Sequence, residues 1–185
     1  MIKPEKVLII LFTILLLITA ALPVYAVEAM SDAEICEKLG ILKGEGSGLT
    51  DEYLDSVPTR MQAAIMFLRL KGLENKAIEY QGQFNFKDAG KVWSGGRAML
   101  AYLKANPELG WLGDGTGNFN PLAPVEAKEY TKVLLTALGY QQDVDFSWEN
   151  VEEFATSIGI VKLLDIETFT VRVLATGTVE ALNPE

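Results

Sequence analysis

Apolar residues recur every three or four positions in five segments of the chain, the spacing that places them on one face of an α-helix. The predicted helices span residues 32–39, 60–71, 95–104, 126–138 and 148–157. The helix at 126–138 has the clearest apolar stripe, opposite a face that carries Lys128 and Lys132. The helix at 60–71 is apolar on two sides, which predicts that other elements pack against both. The pattern as a whole predicts a mainly α-helical fold.

Two of these helices begin with a capping box, in which a hydroxyl residue and an acid or amide three positions later cap each other's backbone N–H groups. The pairs are Ser31 with Glu34 and Thr59 with Gln62. Residues 74–83, after the second of these helices, are mostly polar and predict a linker.

A glycine-rich acidic turn occurs twice, as GEGSG at residues 44–48 and as GDGTG at residues 113–117. The glycines that close the following helices, Gly72 and Gly139, are also separated by nearly the same distance along the chain, 67 positions against 69. Two landmarks at one offset indicate an internal duplication. Each turn is therefore predicted to lead the chain from one helix into the start of the next.

The last segment of the chain does not continue this duplicated pattern of helices and glycine turns. In FTVRVLATGTVEAL, residues 169–182, the apolar side chains of Phe169, Val171 and Val173 alternate, and a Thr-Gly-Thr sequence follows. This composition favours a strand or an irregular tail over a helix. The segment is either a degenerate third unit or the beginning of something that lies beyond this chain.

The first 26 residues have the order of a secretory signal peptide. Lys3 and Lys6 precede 16 uncharged residues, and small residues follow at Ala26 and Ala29. The order of charged, apolar and small segments predicts export, with cleavage after one of these two alanines. An uncleaved membrane anchor is the alternative, although the apolar run is short for a spanning helix.

The charge balance narrows the choice of partners. The chain has 16 basic and 25 acidic residues, a net charge of −9. Removal of residues 1–26 takes away Lys3, Lys6 and Glu5 and leaves −10. Such acidity argues against nucleic acid and against an anionic membrane surface as partners. We expect no contact with the membrane after signal cleavage.

The residue types that are missing exclude several chemistries. The chain has no histidine, which excludes Ser-His-Asp and Cys-His catalysis and the usual histidine zinc sites. The single cysteine, Cys36, excludes an internal disulfide, and its helical spacing from Leu39 predicts a buried position. Catalysis by paired carboxylates stays possible, but no pair stands out. We predict a protein that is not an enzyme and needs no cofactor.

The motifs between residues 84 and 130 occur in an order that resembles an S-layer homology repeat. In order they are Phe86, Asp88, Trp93, a helix, Gly113-Asp114-Gly115-Thr116, Phe119, Pro121 and Val125-Glu126-Ala127. The segment from the first glycine turn to Gly72 resembles the second half of another repeat, with Thr59-Arg60-Met61-Gln62 where the family has Thr-Arg-Ala-Glu. The resemblance covers residues 31–140, and more loosely 146–160.

The resemblance implies a fold, a domain organisation and a role. It implies duplicated helix–glycine turn–helix units in a pseudo-symmetric helical cluster, with a partial unit at 27–80, a second at 81–145 and a degenerate or truncated third at 146–185. It implies a secreted bacterial protein of the cell wall or S-layer surface. Such modules anchor surface proteins non-covalently to an anionic cell-wall polysaccharide, or belong to the S-layer itself and contact its other proteins.

The first unit offers a chemically sensible anion site. A capped helix start and a glycine turn present backbone N–H groups, and an arginine supplies a fork for a carboxylate or phosphate. These elements are Thr59, Arg60 and Gln62 beside the turn at 44–48. They are also ordinary helix-capping devices.

The second unit adds four candidate polymer-binding residues, namely Asp88, Trp93, Asp114 and Gly115. Asp88 is alternatively a turn cap, and Trp93 is either a core residue or a platform for a sugar ring. This unit has Ala127 where the family has arginine. In the third unit the arginine, Arg172, comes one position late.

Residues 114–120 also invite comparison with a calcium loop. Asp114, Thr116, Asn118 and Asn120 alternate like loop ligands, but an EF-hand needs Gly at its sixth position and Glu at its twelfth. Phe119 and a valine stand at those positions. We therefore predict no metal site.

Three functions remain open from the sequence. The first is a wall-polymer binding module, the second a structural surface-layer protein without strong polymer binding, and the third a carboxylate-based hydrolase of wall glycans. The charge and composition above favour the first two.

The signal peptide gives the first testable prediction. N-terminal sequencing of the exported protein should begin at Val27 or Met30, because the small residues before them suit a signal peptidase. Exported material that begins at Met1 would contradict it.

Overall fold

A computed structural model describes residues 29–183 except 45, 47 and 165, and the predicted signal peptide lies outside these residues. Residues from Ser31 onward form one compact unit. The described part contains eight α-helices: α1 Asp32–Lys38, α2 Asp51–Leu54, α3 Arg60–Leu70, α4 Glu74–Ile78, α5 Ser94–Ala105, α6 Ala127–Leu138, α7 Val151–Ser157 and α8 Val171–Leu182. Single 3-10 turns lie at Ala89–Lys91 and Pro107–Leu109. No sheet occurs among the described residues, where β-bridges are isolated, so the prediction of a mainly α fold is confirmed.

The five predicted helices occur as α1, α3, α5, α6 and α7, with ends that differ by three residues or fewer. Both predicted capping boxes are present. The Thr59 hydroxyl accepts from the Gln62 N–H at 3.2 Å, and the Gln62 side chain accepts from the Thr59 N–H at 2.8 Å. Ser31 and Glu34 make the same exchange at the start of α1. No helix of the described part is both long and apolar enough to cross a membrane.

A left-handed glycine followed by a buried apolar residue comes after each of α1, α5 and α7. The glycines are Gly40, Gly110 and Gly159, with φ of 72°, 86° and 86°. The apolar residues that follow them are Ile41, Trp111 and Ile160, each at most 5% exposed. Each of these turns then leads, over a different length of chain, into one of the long helices α3, α6 and α8.

Contacts between helices connect the first helix of the fold with the last. Helix α6 packs against both α3 and α8. Of the other helices, α7 packs on α6, α1 packs on α8 and α4 packs on α3, and α5 packs on α4. The contact of α1 with α8 joins the two ends of the compact unit, and the buried Cys36 thiol donates to the carbonyl of Ala175 in α8 at 3.6 Å.

The C-terminal segment is a helix, so the prediction of a strand or irregular tail is wrong. Its buried residues, Val171, Leu174, Ala175, Thr178 and Ala181, follow the 3.6-residue period of α8. Packing against α1 and α6 outweighs the weak helix propensity of the valines and threonines. The Thr178 hydroxyl bonds both the Leu174 carbonyl and the buried Tyr130 hydroxyl, which satisfies its polar group inside the core.

Two smaller expectations also fail. Residues 74–83 do not form a linker throughout, because Glu74–Ile78 is helix α4 with its Ala77 fully buried. Helix α7 begins at Val151 and not at the predicted residue 148, and Trp148 before it is 39% exposed. Helix α4 packs against α3 and α5. The start of α7 has a local explanation, because the Ser147 N–H donates to the Asn150 side chain and the Asn150 N–H donates to the Ser147 hydroxyl.

Gly177 in α8 gives a prediction whose sign depends on the tertiary structure. Alanine in place of glycine normally stabilises a helix by about 1 kcal/mol. Here a methyl group would lie 2.2 Å from the side chain of Leu163, which is fully buried. Gly177→Ala should therefore lower the free energy of unfolding, by about 1–3 kcal/mol, the usual cost of overpacking. Urea denaturation measures this, with Thr176→Ala on the same helix as the control, and a raised midpoint for Gly177→Ala would refute it.

Candidate functional site

Arg60 is the first residue of α3, and its side chain contacts α6 and the segment that follows the second glycine turn. Its guanidinium forms an ion pair with Glu129 of α6, and its Nε donates to the Phe119 carbonyl at 2.7 Å. It also lies over the rings of Phe119 and Trp111, 4.9 and 5.9 Å from their centroids. The Arg60 side chain is 12% exposed and that of Glu129 is 18% exposed. The guanidinium is thus engaged within the fold, and its part in polymer binding stays a prediction.

Burial lowers the pKa of Arg60 from its ordinary value, while the charges of Asp114, Asp88 and Glu126 act in the opposite direction. These acids offset the loss of solvent around the guanidinium. The surroundings of Arg60 are therefore already negative.

The backbone N–H groups at the start of α3 are occupied. Those of Arg60 and Met61 donate to the carbonyls of Ala123 and Pro121 at 2.9 and 3.0 Å. The next N–H, that of Gln62, donates to the capping hydroxyl of Thr59. The capping box that the sequence predicts is present, but the first three N–H groups of this helix already have partners.

Asp88 caps the chain that follows the second glycine turn. One carboxylate oxygen accepts from the Phe119 N–H at 2.8 Å, and the other accepts from the Asn120 N–H at 2.9 Å. Its side chain is only 7% exposed, and Lys91 lies 3.8 Å away. The turn-cap interpretation of Asp88 therefore accounts for both of its oxygens.

Asp114 organises the glycine turn around its own carboxylate. It accepts from the N–H and hydroxyl of Thr116, from the N–H and amide of Asn118 and from the amide of Asn120, at 2.8–3.3 Å. The Thr116 hydroxyl, followed by the other donors, holds the pKa of Asp114 well below its usual range. Gly115, with φ of 78°, permits the left-handed turn that brings these donors together. The donors around Asp114 are amide, hydroxyl and N–H groups that stabilise the loop.

Trp93 has the geometry of an exposed aromatic platform. It immediately precedes α5 and is 53% exposed. A methyl group on Gly95 would lie 2.9 Å from the indole Nε1, and one on Gly96 would lie 3.0 Å from Cε3. The indole therefore rests against the backbone of both glycines, and much of its surface faces solvent.

Trp148 offers a useful contrast. It is also exposed and also precedes a helix, but the Lys128 ammonium lies 5.2 Å from its ring centroid. Lys128 in turn lies 3.8 Å from Glu152. A cation of the protein thus already occupies the space over this ring, whereas no cation–π contact of Trp93 occurs within residues 29–183.

Sequence reasoning identified Trp93 but not the two glycines that support it. Adjacent glycines inside a predicted helix cost about 1 kcal/mol each relative to alanine, which signals a packing or functional reason. That signal is visible in the sequence WSGGR at residues 93–97. Which side chain the glycines make room for is a matter of tertiary structure.

Comparison with known protein families and with curated proteins identifies no relative of this chain. No family model matches the chain, and no curated protein is significantly similar to it. The resemblance of residues 31–140 to S-layer homology repeats therefore stays a prediction from the motifs.

The Arg60 geometry predicts a stability effect. Arg60→Ala leaves Glu129 largely buried without its partner and should cost about 2–4 kcal/mol, just below the range for a fully buried pair. Chemical denaturation measures this loss. Arg60→Met combined with Glu129→Met removes both charges and should be less destabilising than Arg60→Ala. A loss below about 0.5 kcal/mol for Arg60→Ala, within the usual range for exposed sites, would show that the pair does not support the fold.

Proposed function

We propose that this protein is a non-catalytic cell-surface module of S-layer homology type, which anchors to an anionic cell-wall polysaccharide. The observation that carries the proposal is the exposed indole of Trp93 on its glycine support. Aromatic rings bind the apolar faces of sugars, and an indole held against the backbone loses little conformational entropy on binding.

The arrangement of helices supports the family assignment. A helix, a left-handed glycine, a buried apolar residue and a helix of 11 or 12 residues occur in this order three times, ending in α3, α6 and α8. We infer that these are three repeat units, and that α8 belongs to the third. In this interpretation α1, the first helix of the first unit, packs on the last helix of the third, which closes a pseudo-symmetric cluster.

The chemistry of the surface supports binding rather than catalysis. The acids that the motifs single out, Asp88 and Asp114, accept hydrogen bonds from the chain itself. A hydrolase of glycans would need two carboxyl groups that face a substrate cleft. The aromatic platform has no such requirement, since it contributes contact area alone.

The predicted export of the protein agrees with a function at the cell wall. The signal sequence would place the protein outside the cell, where wall polymers are available, and the acidity of the chain suits a soluble surface module. A structural surface-layer protein without strong polymer affinity is the alternative function.

A pull-down with purified sacculi tests the proposal. The protein should sediment with intact sacculi and much less with sacculi from which the secondary polymer has been stripped. Trp93→Ala should weaken binding by about 1–2 kcal/mol, the scale of a lost aromatic contact. Trp148→Ala is the matched control and should bind normally, because Lys128 already lies over that ring.

The outcomes separate the alternatives. Equal sedimentation with stripped sacculi, or none with intact sacculi, would refute polymer anchoring and favour the structural surface-layer role. Release of soluble sugar from the sacculi would indicate a hydrolase. Normal binding by a folded Trp93→Ala variant would mean that the polymer binds elsewhere.

A further inference from the structure

We propose that Arg97 binds the acidic substituent of the polymer. It lies one helical turn after the exposed Trp93, and its carbonyl accepts a hydrogen bond from Asn85, the residue after the exposed Phe84. The inference rests on the proposed function and gives it a specificity-determining residue. We call Trp93, Arg97 and Phe84 the aromatic–arginine strip.

Arg97 differs from the other arginines in its partners. Arg60 pairs with Glu129, Arg69 with Glu74, and Arg172 with Asp51 and Asp55. These three and Arg97 are all the arginines of the chain. Arg97 is exposed and forms no ion pair or side-chain hydrogen bond within the described residues. In a chain with 25 acids and 16 bases, a guanidinium without a carboxylate partner is available to an external anion.

The strip is held together by the backbone of α5 and by one side-chain hydrogen bond. The Arg97 N–H donates to the Trp93 carbonyl at 2.9 Å, so the two residues are neighbours one helical turn apart. The Asn85 amide donates to the Arg97 carbonyl at 2.7 Å, which places Phe84, the residue before it, beside the same turn. The Lys104 ammonium, two helical turns after Arg97, donates to the Asn85 carbonyl and also holds this segment against α5.

Phe84 is 87% exposed, although it lies only two residues before Phe86, which is buried against Phe119. The buried Phe86 ring and the Asn85 bond hold the chain directly after this point, so the exposed ring lies next to an anchored segment. A large aromatic side chain with so much of its surface in water gains apolar contact when a partner covers it.

The chemistry of the strip fits a carboxylated polysaccharide. Each of the two rings can cover an apolar sugar face, and the guanidinium offers two parallel N–H donors to a carboxylate. Arg60 is a less suitable receptor for the same group, because its guanidinium is occupied by Glu129 and the Phe119 carbonyl. Binding of the acid at Arg60 would require the ion pair to open, whereas binding at Arg97 requires no such change.

The test compares intact sacculi that carry a carboxylated secondary polymer with the same sacculi after chemical reduction of their carboxyl groups to alcohols. This treatment removes the charge and preserves the sugars. Wild-type protein should bind reduced sacculi roughly tenfold more weakly, the scale of a lost bond to a charged group. Arg97→Gln should bind intact sacculi about tenfold more weakly and no longer distinguish the two preparations. Arg97→Lys keeps the charge without the fork, so it should retain part of the discrimination.

Two controls isolate the role of Arg97. Lys162→Gln removes one exposed positive charge before α8 and should bind like wild type, which excludes an effect of net charge alone. Phe84→Ala should weaken binding to both preparations by the same factor, because stacking does not depend on the carboxylate. Unchanged urea midpoints would show that each variant is folded.

The results distinguish this inference from the function on which it rests. If Arg97→Gln discriminates between the preparations as well as wild type does, or if wild type binds both equally, the assignment of Arg97 is wrong while polymer anchoring stands. If wild type binds neither preparation, the proposed function falls and the assignment of Arg97 falls with it.

Discussion

The contact of Arg60 with Glu129 and Phe119 is the interaction on which the organisation of the motif residues depends. The Phe119 carbonyl accepts from Arg60, the Phe119 N–H donates to Asp88, and Asp88 also accepts from the N–H of Asn120. The Asn120 amide in turn donates to Asp114 in the glycine turn. These residues form one hydrogen-bonded network from the turn to the start of α3 and onward to α6. Low exposure strengthens such a network when every polar group has a partner, and makes the loss of any one partner costly.

Local signals in the sequence were sufficient for part of the fold. Capping boxes and amphipathic stripes depend on residues three or four apart, so the starts of α1 and α3 and the bounds of α6 were close to correct. Helix α8 was not accessible in this way, because its Gly177 and Thr178 are explained by Leu163 and Tyr130, which are remote in sequence. The same limit applies to the site. The motif marks Arg60, but its partner Glu129 is 69 positions away.

The separation of the network from the aromatic–arginine strip has a physical consequence. Trp93, Arg97 and Phe84 are exposed, and none of them donates to or accepts from the network through its side chain. Changes at these positions therefore leave no buried polar group unpaired, so they should cost the fold less than changes within the network. Under the proposed function, the polymer specificity of this surface can therefore change while the helices and the glycine turn stay the same. Changes at Asp88 or Arg60 lack this freedom, because each would leave a partly buried group without its partner.

Trp111 shows how the residues that follow the left-handed glycines differ. It follows a left-handed glycine, as Ile41 and Ile160 do, yet it introduces an indole N–H that is buried without a partner among the described residues. Such an unpaired donor costs about 1–3 kcal/mol. The larger ring offsets this cost, since it lies under the Arg60 guanidinium and contacts Phe67 and Phe119. An isoleucine would supply neither a ring face for the cation nor the volume between these aromatics. The tryptophan is therefore best explained by Arg60, because its ring supplies part of the aromatic surface that the largely buried guanidinium contacts.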